Sequence, residues 1–178
     1  MIKQIFTDNR INDYAQKIHQ MNVDKGFWPE NRDVQQITLL NISEISEALE
    51  SYRKGEQAIF EIDGKPEGWI VELADTAIRI LDAIGGIDKI NFATNCSDSV
   101  LQSLYNLTEM SIKAASNSIG KKTEQVFTDG KDNFLLNLKA MILYLDVEFE
   151  ERGFNLIQVI EQKLAYNATR AHKHGKQF

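Results

Sequence analysis

Two stretches of this chain carry acids at a spacing that could do chemistry. Residues 44–55 read EISEALESYRKG and residues 72–82 read ELADTAIRILD, so Glu44 and Glu47 stand three apart, as do Glu72 and Asp75. Side chains three apart on a helix project from one side, so two neighbouring helices could converge four carboxylates on one point. Like charges so placed repel strongly in a cleft of low dielectric. A hard divalent cation removes that repulsion. All-oxygen ligation with no histidine nearby suits Mg²⁺, with Mn²⁺ as the other choice, rather than zinc. Either pair alone is ordinary on a helix surface; two pairs on consecutive helices, each at the edge of an apolar face, point to a site.

The elements that must position these acids follow from the apolar periodicity, at about 100° per residue. Residues from about Trp69 to Ile84 predict a helix stopped by Gly85 and Gly86, apolar over more than half of its circumference. Its remaining strip holds Glu72, Asp75, Arg79 and Asp82, so the acidic strip is expected to face another helix or a cleft. Arg79 and Asp82 continue that strip one turn on and are expected to support the ligands from behind, Arg79 limiting carboxylate repulsion. The helix before it starts near Val34 and ends at Gly55. Its main apolar arc is Ile37, Ile42, Ile45, Ala48, Leu49 and Tyr52, with Glu44 and Glu47 flanking that arc.

Further helices are expected from about Arg10 to Met21 with Asp8 or Asn9 as cap, over 97–118 with Ser97 or Ser99 as cap, and from about Asn133 to Arg152. A last one runs from Asn155, as its cap, to Ala171. GFWPENRD, EIDGKPEG and IGKKTEQVFTDGKD read as connectors, the second with Asp63-Gly64 as turn chemistry. Only two prolines and ten glycines in 178 residues favour helices over a loop-rich β architecture. No repeat or shift of composition marks a second domain. Long helices with short connectors make the expected fold an all-α antiparallel helical bundle in one domain, residues 1–178.

Charge and composition narrow the function. A formal charge of −6 argues against a nucleic-acid polymer as partner, since that needs a basic footprint. A small phosphorylated ligand stays open, because a metal supplies positive charge locally. Cys96 is the only cysteine, which excludes an intrachain disulfide and a thiolate zinc cluster. The start MIKQIFTDNR has no long apolar run, and the most apolar window, FLLNLKAMILYLDVEF, is interrupted by Asn137, Lys139 and Asp146. Neither a secretory signal nor a membrane span is expected, and a cytoplasmic location is.

Cations gather at the other end of the chain. Lys163, Asn167 and Arg170 fall on the helix face that also carries Leu156 and Ile160, so that face turns from apolar to cationic toward its end. This reads as a polyphosphate cradle, or as charges that cap the helix C-terminus; Asn167 could instead read a base edge. Tyr166 lies on the flank, and Lys173, His174 and Lys176 could extend the cradle or stay solvated. Arg53 and Lys54 follow the first acidic pair and could reach phosphate. Trp28 could stack on a nucleobase or pack in the core. His19 and His172 have no partner that the sequence names.

With these residues in view the chain resembles a known family. SEISEALESYRKG and ELADTAIRILD, with 24 residues between Glu47 and Glu72, are similar to the ExxE…ExxD signature of the all-α nucleoside triphosphate pyrophosphohydrolases, the MazG-like superfamily. The closing KLAYNATRAHKHGKQF resembles the KxxxNxxR…HGK segment of the MazG-like branch. Together the resemblance covers about residues 28–84 and 139–178; the helical segment over about 97–131 is extra to the family core. The resemblance implies that Glu44, Glu47, Glu72 and Asp75 hold Mg²⁺ and that a nucleoside triphosphate is hydrolysed to monophosphate and pyrophosphate. It also implies assembly as a homodimer or homotetramer and a role in nucleotide-pool housecleaning. Glu47 is the preferred general base, with Glu44 able to serve. Two alternatives stand beside this: a narrower dUTPase- or dCTPase-like enzyme, and a non-catalytic metal-binding helical bundle acting as an interaction module.

Overall fold

The computed structural model describes residues 7–28, 30–118 and 130–170. It is mostly helical, with six α-helices among the described residues: α1 (Asp8–Asp24), α2 (Val34–Arg53), α3 (Trp69–Gly85), α4 (Ser99–Ser118), α5 (Gly130–Glu151) and α6 (Leu156–Ala168). The all-α class expected from the sequence is the class observed. None of these helices is long and apolar enough to cross a membrane.

Helix α3 is the axis of the fold, packed by α1, α2, α5 and α6. Its sequence requires this. Ile70, Val71, Ala74, Ala77, Ile80, Leu81 and Ala83 are all at most 1% exposed, and apolar residues so distributed can be buried only by neighbours on several sides. Gly85 lets α1 approach closely, because a Cβ there would collide with the carbonyl of Ala15. Ile11, Ala15 and Ile18 of α1 fill that contact, while Leu138, Ile142 and Phe149 of α5 and Leu156, Val159 and Ile160 of α6 close the core from the other side.

Helix α2 departs from its expected orientation. Its buried residues are Ile37, Asn41, Glu44, Ala48 and Ser51, with Gln35 near its start. The stripe advances by alternating steps of four and three, the narrow seam of one helix lying along another. Ile45, Leu49 and Tyr52, expected in the buried arc, are 43%, 58% and 67% exposed. The small residues Ala48 and Ser51 let α2 lie close on α3, and this rotation carries Glu44 from the flank into the middle of the seam.

The connectors hold short sheets. EIDGKPEG, expected as a loop, is a β-hairpin: β1 (Phe60–Ile62) pairs antiparallel with β2 (Lys65–Glu67). Asp63 and Gly64 both take positive φ, 49° and 78°, the two-residue turn that suits hairpin twist. A two-residue parallel bridge joins Arg32–Asp33 to Ile90–Asn91. Asp33 pins α2 to the chain before α4: its Oδ2 accepts from the Ser97 backbone N–H at 2.7 Å and hydroxyl at 2.6 Å, and its Oδ1 from Asn91 at 2.8 Å. The caps expected for α1 and α4 are corrected. Thr7 accepts from the Arg10 N–H, and Asp98 accepts from the N–H groups of Val100 and Leu101. Ser97 is already engaged by Asp33. Asn155 caps α6 as expected, accepting from Gln158.

Candidate metal centre

The seam between α2 and α3 brings the two acidic pairs together. Glu44, Glu72 and Asp75 each offer a carboxylate oxygen, and these oxygens lie within 4.8 Å of one another. Glu44 and Glu72 are buried, at 6% and 8% exposure. Glu47 sits one turn along α2, exposed, on the rim of the same cleft. Three of the four expected ligands therefore form the cluster and the fourth lines its mouth.

The cleft encloses about 300 Å³, and its wall also includes Asn22, Phe27, Lys65, Ile78, Arg79, Lys163, Asn167 and Arg170. Five structural elements contribute: the end of α1, α2, the hairpin, α3 and α6. Acids and cations are interleaved in its wall. Arg79 donates from Nε to Glu44 Oε1 at 2.9 Å, and Lys163 Nζ stands 2.7 Å from Asp75 Oδ2, its side chain only 5% exposed. Arg79 thus reaches from α3 to a carboxylate of α2. Lys163 faces the cluster rather than solvent.

Electrostatics mark the cluster as strained by charge. Burial pushes the Glu72 carboxyl up to about 7; Lys163 opposes that, while Asp75, Glu47 and Glu44 add to it. Burial likewise pushes Asp75 up to about 6 despite the Lys163 ammonium beside it. Burial disfavours the Lys163 charge, but Asp75 and Glu72 outweigh it and raise its pKa. Among the described residues Glu72 has no hydrogen bond or ion pair through its side chain, although it is nine-tenths buried. A buried carboxylate without a hydrogen bond is costly, and the Lys163 ammonium offsets the charge of this one only in part.

The donor set fits a hard divalent ion. It is all carboxylate oxygen, without histidine or cysteine. Ligands of an octahedral Mg²⁺ ion, at about 2.1 Å each, are about 3 Å apart when adjacent and about 4.2 Å when opposite, so oxygens spread over up to 4.8 Å must draw together to share one ion. Among the described residues the buried amide oxygen of Asn167 also has no hydrogen-bond partner, and Asn167 lines the same cleft.

Other expected site residues fall elsewhere. Trp28, 5% exposed, is a core residue and not a base platform: its indole N–H donates to both oxygens of Asp82 at 3.0 Å, and Arg32 stacks on its ring. Asp82 likewise does not stand behind the cluster. It is 4% exposed and receives His19 Nδ1 at 2.9 Å besides Trp28, so His19 has the partner that the sequence could not name. One helical turn beyond Arg79 the acidic strip has rotated away from the cleft and under α1. Tyr166 faces a shallow groove between α6 and the hairpin, and its ring lies 6.0 Å from the Arg170 guanidinium. Lys54 and Arg53 pair with Glu50 on the surface, away from the cleft. His172, Lys173, His174 and Lys176 lie outside the described residues.

Asn22, Phe27 and Lys65 were not found by sequence reasoning. Lys65 follows the Asp63-Gly64 turn, so reading that turn as a hairpin would have directed attention to it. Asn22 and Phe27 carry no comparable signal, since their place depends on where α1 crosses α3. Lys25 fixes that end of α1 to the end of α6 by donating to the carbonyls of Ala168 and Arg170.

Against known proteins the chain gives no match, whether to family models, curated sequences or solved structures.

Proposed function

We propose that this protein is a Mg²⁺-dependent nucleoside triphosphate pyrophosphohydrolase, built as a helical bundle of the MazG-like all-α type and active in nucleotide-pool housecleaning. The observation that carries the reading is one cleft holding both charge types: the cluster of Glu44, Glu72 and Asp75 shares its cleft with Lys163, with Arg170 and with Lys65, which also pairs with Glu67. Carboxylates alone would make a cation site, and cations alone an anion site. Side by side they suit a cation and a polyphosphate bound together.

Glu44, Glu72 and Asp75 would hold the ion, with Glu47 able to join from the rim. When bound, the ion neutralises phosphate charge and the charge that develops on the leaving pyrophosphate. Lys65 and Arg170, which line the same cleft, bind and orient the phosphate chain. Glu47, exposed and without an ion pair among the described residues, takes a proton from the attacking water. The water oxygen bonds to a phosphorus of the α–β anhydride, that bridge breaks, and its electron pair leaves with the departing group, giving monophosphate and pyrophosphate. A volume of about 300 Å³ is at the lower end of small-ligand sites. It suits the phosphates and the ion, with the base reaching outward toward a second subunit of a homodimer or homotetramer.

The test is a panel of canonical and modified NTPs and dNTPs with Mg²⁺, scored separately for pyrophosphate and orthophosphate. At least one substrate should give monophosphate and pyrophosphate, with activity lost in EDTA. Orthophosphate as the sole product would overturn the reading. Mg²⁺ binding without turnover of any substrate would leave a non-catalytic metal-binding module.

A further inference from the structure

Two of the three clustered carboxylates are each paired with a cation of the chain itself, and the two pairs differ in kind. Arg79 and Glu44 join α3 to α2, and a planar guanidinium held through Nε is a fixed partner. Lys163 comes from α6, at the end of a flexible four-carbon stem, and its ammonium stands 2.7 Å from Asp75 Oδ2. That oxygen cannot serve an ammonium and a divalent ion equally, because a doubly charged ion a few ångströms away repels Lys163 strongly in a buried site.

Lys163 also has somewhere to go. It lines the cleft together with Arg170 and with Lys65, which pairs with Glu67. A polyphosphate would offer its ammonium several acceptors in place of the one it gives up.

Resting on the metal-site reading above, we propose that Lys163 is a built-in competitor for the cation: it holds Asp75 until a polyphosphate draws it off, so the ion and the polyphosphate bind cooperatively. The ion alone must displace Lys163 from Asp75 with no polyphosphate to receive it. The polyphosphate alone must approach Glu72 and Asp75 with their charge uncovered. Together, each removes the other's penalty. Linkage makes the gain reciprocal, the same factor for either ligand in the presence of the other. The arrangement would keep the site from filling with stray divalent ions when no substrate is present.

Titrating the full chain with Mn²⁺ alone, and following the free ion by electron paramagnetic resonance, tests this without any turnover. Lys163→Met keeps the stem and removes the charge, and should bind Mn²⁺ about tenfold more tightly than wild type, the equivalent of one charge-assisted hydrogen bond. Lys163→Arg, which keeps a cation, should stay near wild type. Lys17→Met removes a charge paired with Glu161 outside the cleft and should change little, separating local competition from net charge. Equal or weaker binding by Lys163→Met, with wild type binding normally, overturns the competitor role and leaves the metal site standing. Absence of binding by wild type and Lys163→Met alike overturns the metal site itself. A second measurement needs only wild type: in ¹⁵N-lysine-labelled protein the protected ammonium resonance of Lys163 should be lost as Mg²⁺ saturates the site. Its persistence at saturation overturns the proposal even if Lys163→Met fails to fold.

Discussion

Arg79 reaches from α3 to α2 and donates through Nε to Glu44 Oε1 at 2.9 Å, with side-chain exposures of 20% and 8%. This pair holds the two acid-bearing helices in register at the level of the cluster. Arg79→Met would leave Glu44 buried beside Glu72 and Asp75 with no cation against it. Breaking a largely buried pair from one side should cost about 2–3 kcal/mol, read from urea denaturation in EDTA. Adding Mg²⁺ should return part of the loss, because the ion takes over the charge that Arg79 covered. Unchanged denaturation midpoints in EDTA would mean that Glu44 is adequately solvated and the seam is not held by this link.

The pH dependence of stability has two limbs with opposite signs. Burial raises Glu72 to about 7 and Asp75 to about 6, from ordinary values of 4.5 and 3.8. A carboxyl raised by folding favours the folded state below its unfolded pKa, and that contribution is lost as pH rises through the folded value. Asp33 runs the other way. Hydrogen bonds from Ser97, helped by Cys96 and Asn91, hold it at about 2, so its contribution is present above 3.8 and disappears as pH falls through 2. In EDTA the protein should therefore be most stable near about pH 4–5 and lose on the order of a few kcal/mol by about pH 7.5. Mg²⁺ should flatten the neutral limb. Melting temperatures across pH, with and without the ion, check both; a steady rise from pH 5 to 8 in EDTA would contradict the cluster's charge strain.

Self-association follows from where the apolar surface lies. Ile45, Leu49 and Tyr52 of α2 are exposed, and the adjacent α4 exposes Val100, Leu104, Leu107 and Met110, each at least 48% accessible. Apolar residues so concentrated on neighbouring helices are seldom left in water. A second copy covering them would bury this face, which lies across the α2 seam from Glu47. Light scattering should show a dimer or tetramer at micromolar concentration, and Leu49→Glu with Leu104→Glu should shift it toward monomer. A wild-type monomer with full activity would remove the second copy from the proposed function.

The helices and the acidic cluster were legible in the sequence because both depend on local pattern. Apolar period, the glycine stops at Gly55 and Gly153, and the three-residue acid spacing act within one or two turns. What escaped depends on how helices pack. The rotation of α2 was misread because Ile45, Leu49 and Tyr52 outweigh Ala48 and Ser51 in hydrophobicity, whereas close approach to α3 favours the small residues. Trp28 and Asp82 were placed by type alone. Their actual pairing joins α1, α3 and the segment before α2, a meeting of three segments that no periodicity encodes. Lys163 was seen as a cation facing phosphate; that it faces Asp75 required the position of α6 on α3.

The remaining prediction distinguishes a ligand site from a structural acidic cluster, and the partners just described decide which carboxylate to change. Asp75→Asn removes charge from the cluster but leaves the Lys163 ammonium buried without its partner, so stability gained on one side is lost on the other. Glu47 is exposed, and neutralising it should barely affect folding. Glu72 is buried, makes no ion pair among the described residues, and feels Asp75, Glu47 and Glu44 against the partial relief of Lys163. Glu72→Gln keeps its shape and ends that repulsion. In EDTA at about pH 7.5 this variant should melt higher than wild type, by several degrees if about 1 kcal/mol is recovered. It should gain little from Mg²⁺, since an ion stabilises the fold only to the extent that it binds, and it should lose nearly all hydrolysis. Stability rising as activity falls is the expected mark of a site that trades one for the other. A lower melting temperature with hydrolysis retained would make Glu72 a structural residue and withdraw the metal centre.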